Sequence, residues 1–413
     1  MISIIKNIKT KNLLDINFSF FTSLSNLLFG VVLISLLTKQ YSVDQIGSFS
    51  KYIVISASLP VLLDFGFTKH IISSYNISKK EVHEIKKNYI KIPLIICLIL
   101  ILFFYFSKSS YIALIFLAIN NFLLYEIIFK KALLIKNGLF KKNMTFEITS
   151  KIIGLTFLGI IFLRFDTIDI NVLYFSPLIF TNFIRYLFLI KISKNLIDKS
   201  NYTSKNQLTN RFSVPIYIDS LLSFGSYNLD VIILSYLGAN ELAAIIIIIK
   251  STFNKALSII LPSINSVYFT KISKLHSIKQ NVWPLYKENV LFSQIPLIFI
   301  ISPFILFPNF IFGNIFSEEY SMILDYLLIL TFIYIIRSAF SPIGSLIAVF
   351  NNMNNGLYFG ILQILLILVL SYISAYQNFT IHHYLIGLLS LYITLIVPHY
   401  ILLIKPIITQ NGK

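Results

Sequence analysis

Apolar residues in this chain come in long, nearly unbroken stretches, and short polar segments separate them. A bilayer core of about 30 Å takes roughly 20 apolar residues of helix, and backbone polar groups in lipid must be satisfied inside the segment. Twelve stretches meet that requirement: Phe18 to Leu37, Ile46 to Phe65, Ile90 to Phe106, Tyr111 to Ile135, Met144 to Leu163, Ile170 to Ile190, Ser213 to Tyr236, Leu242 to Val267, Val290 to Phe310, Met322 to Phe350, Leu357 to Tyr376 and His382 to Ile404. Lys151 interrupts the fifth, and the tenth is long enough to tilt or to break at Pro342. Prolines 262, 296 and 303 are further candidate kinks. The pattern predicts an all-α polytopic membrane protein of about twelve transmembrane helices.

Composition strengthens that reading. Hydrophobic residues make up 56% of the chain, charged residues 12%, and mean hydropathy is +0.80, outside the range of a soluble domain. Lys6, Lys9 and Lys11 precede the first apolar run, which is a full span without a small-residue cleavage site, so the first helix is expected to stay as an anchor.

A net charge of +17 would suggest nucleic acid in a soluble protein. Here its distribution has another cause, and no nucleic-acid partner is expected. With the N-terminus in the cytoplasm, most of the 34 Lys and Arg fall on the cytoplasmic side, including Lys79, Lys80, Lys86 and Lys87, then Lys130, Lys131, Lys136, Lys141 and Lys142, then Lys191 to Arg211. The opposite loops hold Lys39, Lys108 and Arg164 beside Asp166, Asp169, Glu241, Glu318 and Glu319. That asymmetry is the positive-inside rule. It puts both termini in the cytoplasm, with membrane lipid headgroups as a secondary contact for the basic excess.

The single cysteine, Cys97, lies within an apolar span and is expected to pack rather than react. The His382-His383 pair stands at a helix end, and no metal site is expected there.

The longest polar segment between spans runs from Lys191 to Arg211 and divides the spans six and six. The expected organisation is an N-terminal half over 1–191, a cytoplasmic linker over 192–212 and a C-terminal half over 213–413. An offset of 196 positions places Val43-Asp44-Gln45-Ile46-Gly47-Ser48-Phe49 on Ala239-Asn240-Glu241-Leu242-Ala243-Ala244-Ile245, each a short outer loop between the first two helices of its half. Six spans per half means that both halves run the same way, with the relating axis along the membrane normal.

Tyr41 to Phe49, with an acidic/Gly loop, and Leu63-Asp64-Phe65-Gly66-Phe67-Thr68-Lys69-His70, an Asp-Phe-Gly helix end, carry a family resemblance that extends over nearly the whole chain. The chain resembles the Wzx-type O-antigen and polysaccharide repeat-unit flippases of the multidrug/oligosaccharidyl-lipid/polysaccharide (MOP) exporter superfamily. The resemblance implies a MATE-like fold, a place in the bacterial cytoplasmic (inner) membrane, and undecaprenyl-diphosphate-linked oligosaccharide as cargo. Other polysaccharide-assembly proteins are the implied partners.

Ionisable residues inside spans cost roughly 2.5–3.5 kcal/mol each at the helix centre, so they tend to face a cavity or a partner. Lys51, Lys250, Lys255 and Arg337 are the candidate substrate-binding residues, forming a cationic cavity suited to a diphosphate, with snorkelling as the alternative for Lys51 in particular. Glu126, Asp219 and Asp230 are the ion-coupling candidates, because a carboxylate shielded from water can exchange a proton near neutral pH and follow an H⁺ or Na⁺ gradient. Asp230 and Lys250 share a depth on consecutive helices, as do Glu126 and Arg337 in opposite halves; either pair is equally readable as charge neutralisation. Glu147 and Lys151, four apart, read as a local ion pair.

Tyr41, Tyr111, Tyr236, Tyr320 and Tyr400 fit an interfacial belt, and Asn351 to Gly356 reads as a turn. Three functions remain. A repeat-unit flippase working by alternating access is favoured; a small-molecule exporter of the same superfamily would want an acidic cavity; a membrane polymerase would want a large outer loop, and none is present. No nucleotide-binding motif occurs, so no catalytic residue and no bound cofactor is expected.

Overall fold

The helices follow the apolar stretches. The structure, a computed structural model, describes residues 2–64, 90–107, 110–164, 168–198, 213–254, 280–343 and 353–399, together with residues 87 and 346 and scattered positions between 257 and 276. Its helices are α1 (Ile2–Gln40), α2 (Val43–Asp64), α3 (Lys91–Ser107), α4 (Tyr111–Lys136), α5 (Phe140–Arg164), α6 (Ile170–Asp198), α7 (Ser213–Tyr236), α8 (Asn240–Ile249), α9 (Trp283–Phe292), α10 (Ile295–Leu306), α11 (Leu327–Phe340), α12 (Met353–Tyr376) and α13 (Ile381–His399). No strand occurs among the described residues. Among the described residues, eight helical stretches are long and apolar enough to cross a membrane, and Lys91–Leu102 and Ile381–Leu395 are shorter apolar helices. Outward-facing Leu94, Ile95, Leu98 and Ile99 on α3 and Ile298, Phe299, Ile305 and Leu306 on α10 are what lipid contact requires.

Three expected spans are interrupted. The eighth passes from α8, which ends at Ile249, into a π turn over Lys250–Asn254, and the described positions Leu257, Leu261, Ile264 and Asn265 beyond it are again α-helical. The ninth divides between α9 and α10 at Ser293-Gln294, where Pro296 opens the first turn of α10 and contributes no N–H. The tenth begins as a 3₁₀ turn over Glu318–Tyr326, and α11 ends at Phe340, before the Ser341-Pro342 turn, where Pro342 has no N–H with which to continue the helical ladder. One expectation is corrected outright: Met353 to Gly356 form the first turn of α12 rather than a loop. The fifth span is continuous through Lys151 as α5.

Two turns share one chemistry. Gly138 (φ +68°) follows α4 and Gly238 (φ +85°) follows α7. The next N–H, from Leu139 or Ala239, donates to the carbonyl five residues back, Leu134 at 3.0 Å or Leu234 at 2.9 Å. This is the Schellman closure, which needs a left-handed residue where glycine costs least.

The chain forms two compact units, one of Met1–Phe29 with Tyr52–Phe224 and the other of Gly30–Lys51 with Gly225–Lys413. The divisions fall within α1 and α7 and along α2. The expected linker lies largely outside the described residues, as do Phe65 to His70 of the helix-two motif, Lys79, Lys80, Lys86, Pro262 and Tyr400.

In the first unit α6 packs against α4 and α5, and α3 against α4. Ile127, Leu134 and Leu189 form an apolar cluster. Buried amides staple the helices: Asn182 Nδ2 donates to Asn120 Oδ1 at 2.7 Å, and Asn121 Nδ2 donates to the Pro93 carbonyl at 2.8 Å. In the second unit α13 packs against α11 and α12, with Ile367 of α12 and Leu391 and Leu395 of α13 clustered between those two helices. Every residue of α8 from Leu242 to Ile249 is buried. Tyr320, expected in the interfacial belt, is instead fully buried in this unit, whereas Tyr111 and Tyr236 are exposed as a belt requires.

Candidate functional site

Five helices of the second unit line a common pocket, four of them with one face each and α12 through Ile367 alone. Residues three or four apart on a helix share a face, and that spacing selects Ser226, Tyr227 and Asp230 on α7, Ile246, Ile249 and Lys250 on and just beyond α8, Leu330, Ile333, Tyr334 and Arg337 on α11, and Tyr384, Leu385, Leu388 and Tyr392 on α13. On α11 the opposite face, Leu328, Phe332 and Ile335, is exposed. The amphipathic pattern therefore turns Arg337 inward. The space enclosed is about 20 Å³, room for a single water.

Asp230 is 2% exposed and anchors the pocket. The Lys250 ammonium donates to both of its carboxylate oxygens and to the backbone carbonyl of Tyr227. Tyr384 donates its hydroxyl hydrogen to Asp230 Oδ2 at 2.8 Å, and the Val231 N–H donates to Oδ1 at 2.8 Å. A buried carboxylate needs such compensation, since a lone charge in a low-dielectric interior is far costlier than a paired and hydrogen-bonded one. Lys250 is also where α8 gives way to the π turn, and such turns recur at functional sites.

Arg337 is held by aromatic faces. Its guanidinium carbon lies 4.1 Å from the Tyr227 ring centroid, 5.4 Å from that of Tyr334 and 5.8 Å from that of Tyr392. A guanidinium is always charged, and contact with π faces offsets part of its lost hydration, by about 0.5–2 kcal/mol for a contact. The pocket thus holds two cations, Lys250 and Arg337, against one carboxylate, Asp230, a balance of one positive charge.

Of the residues singled out in the sequence, Asp230, Lys250 and Arg337 line this one pocket. Lys51 sits half-buried on α2 and is not among the lining residues. Glu126, on α4, pairs with Lys130 one turn along the same helix; Lys130 also stands 4.7 Å over the Tyr186 ring. Asp219 lies on α7, but its side chain falls outside the described residues, as does Lys255 altogether.

Sequence reasoning passed over Arg185 and the tyrosines. Arg185 on α6 is 8% exposed and pairs with Glu147, whose other oxygen meets Lys151 Nζ at 3.2 Å. Lys151 donates onward to Ser25 Oγ at 3.0 Å and to Asn26 Oδ1. The Glu147–Lys151 pair expected from spacing is therefore the edge of a larger cluster in the first unit, with Lys131 in electrostatic range. The available signal was Arg185 itself, an ionisable residue inside a span. Tyr227, Tyr334, Tyr384 and Tyr392 gave no local signal, because their roles depend on three separate helices meeting.

Fold and site define a polytopic helical membrane protein with a charged pocket set among its helices. No protein family and no curated protein matches the sequence. Among solved structures, a multidrug resistance MATE family transporter of the MOP superfamily in an inward-facing conformation is similar with a TM-score of 0.61 at 12% identity, covering 95% of this chain and 96% of that one. The lipid II flippase MurJ, in an inward closed conformation, is similar with a TM-score of 0.50 at 17% identity, covering 95% and 100%. The chain shares its fold with these two proteins over essentially its whole length.

Proposed function

We propose that this protein is a flippase that carries an undecaprenyl-diphosphate-linked oligosaccharide, the repeat unit of O-antigen or a similar surface glycan, across the bacterial cytoplasmic membrane by alternating access. The observation that carries the reading is the sign of the buried charge. In the pocket of the second unit, the positions that would attract an organic cation, a carboxylate and a box of tyrosine faces, are filled by Lys250 and Arg337. Fixed cations at those positions repel a cationic drug and attract a phosphate, which argues against the multidrug reading that the MATE likeness alone would favour. Buried Arg185 and Lys151 in the first unit share the one carboxylate of Glu147 and lean the same way. With room for one water, the pocket is a charged lining for a headgroup rather than its chamber. The likeness to a lipid II flippase supports a lipid-linked cargo in general, and coupling to an H⁺ or Na⁺ gradient belongs to the same proposal.

The deciding experiment deletes the gene in its host and follows both surface glycan and lipid-linked intermediates. The proposal expects the surface glycan to disappear while complete repeat units stay on the cytoplasmic leaflet. Single repeat units still reaching the surface would identify a polymerase, and an unchanged glycan would leave the small-molecule exporter.

A further inference from the structure

The surroundings of the Lys250 ammonium are those of a small hard cation. Three of its neighbours are oxygens, Asp230 Oδ1 and Oδ2 and the carbonyl of Tyr227, and all three belong to α7. Hard cations take carboxylate and carbonyl oxygens. The Val231 N–H, the partner that a regular helix assigns to the Tyr227 carbonyl, also reaches Asp230 Oδ1, and a carbonyl keeps a second lone pair for another donor. Tyr384 closes the shell through its hydroxyl on Asp230 Oδ2 and has lone pairs of its own. Beside the shell is space for about one water.

We propose that these oxygens form an alkali-metal cation site that the chain fills with its own Lys250 ammonium. Lys250 comes from beyond α8, whereas the oxygens come from α7, so removing the lysine side chain leaves the ligand set in place. The single carboxylate of Asp230, which the ammonium touches through both oxygens, matches a single positive charge at that position; a divalent ion would overcompensate it and would need more oxygens or waters than the pocket has room for. While Lys250 is present, sodium has no place at Asp230, and any coupling through this carboxylate moves protons rather than sodium. The inference concerns the site alone and stands or falls independently of the cargo.

The test measures thermal unfolding of the full-length protein in detergent, in sodium chloride and in N-methylglucamine chloride at equal ionic strength. The parent should unfold at the same temperature in both salts. Lys250→Met should gain about 2–4 °C in saturating sodium, growing with concentration as a mass-action effect. Adding Asp230→Asn to Lys250→Met should abolish the gain, and Lys250→Gln should repeat it. A parent stabilised by sodium as much as the variants overturns the proposal, as does a folded Lys250→Met with no sodium response. Failure of both Lys250 variants to fold in sodium as well as in N-methylglucamine also counts against it, since a bound ion would replace the missing charge.

Discussion

Asp44 and Asn240 stand 196 residues apart, the offset that aligns the two halves of the sequence, and they bond to each other, Asn240 Nδ2 donating to Asp44 Oδ1 at 2.9 Å. The starts of α2 and α8 therefore cross within the second unit. Gly47 allows the close approach: a β-carbon there would lie 1.9 Å from the Asn240 carbonyl oxygen and 2.6 Å from its Cα.

Gly47→Ala should therefore destabilise the protein by about 1–3 kcal/mol, the usual cost of overpacking, because the obstructing atoms are backbone and cannot rotate away. Asn240→Ala removes only an exposed hydrogen bond and should cost less than about 1 kcal/mol. Unfolding midpoints of the two variants in detergent decide this. Equal midpoints would show that the crossing relaxes freely.

Much of the fold was legible because the constraint is simple: an apolar stretch of helical length must be helical in lipid, and α7 runs over the very residues its stretch predicts, Ser213–Tyr236. Breaks at Pro296 and Pro342 were also readable, since proline acts locally. The site was legible only in part. Asp230 and Lys250 were visible as intramembrane charges at one depth on consecutive helices, and they pair. Pairing Glu126 with Arg337 was equally permitted by depth, yet the structure gives Glu126 a lysine on its own helix and Arg337 a box of tyrosines. Depth fixes only the coordinate along the membrane normal. The direction a residue faces, and whether Tyr392 of α13 meets Arg337 of α11, is set by helix packing, which local pattern does not encode.

Paired buried amides give a second prediction. Asn182→Leu leaves Asn120 Oδ1 without its donor in the first unit and should cost about 1–3 kcal/mol, the penalty of an unsatisfied buried group. Replacing both asparagines by leucine should cost less than the single change. A double-mutant cycle on unfolding free energies measures the difference.

Glu147 carries more. It is the carboxylate shared by Arg185 and Lys151, all three less than 10% exposed. Glu147→Gln leaves two buried cations uncompensated and should cost about 3–5 kcal/mol, as breaking a buried ion pair does. Adding Arg185→Met should restore part of the loss. Yield of folded protein by size-exclusion profile is the first measure; a Glu147→Gln variant as stable as the parent would place these charges in water.

Arg337 separates architecture from function. Arg337→Lys keeps one positive charge in the pocket but loses the flat guanidinium that lies over Tyr227, Tyr334 and Tyr392, and an ammonium is more strongly hydrated and holds phosphate only as a point charge. If Arg337 meets the diphosphate, transport in a complemented deletion strain should fall about tenfold, the equivalent of about 1.4 kcal/mol, while membrane levels stay near the parent's. Tyr392→Phe keeps the ring face and should transport normally, which separates stacking from the hydroxyl. If Arg337→Lys supports full surface glycan at parental expression, the guanidinium is structural, and the positive lining that favours a phosphate-bearing cargo must then come from other side chains.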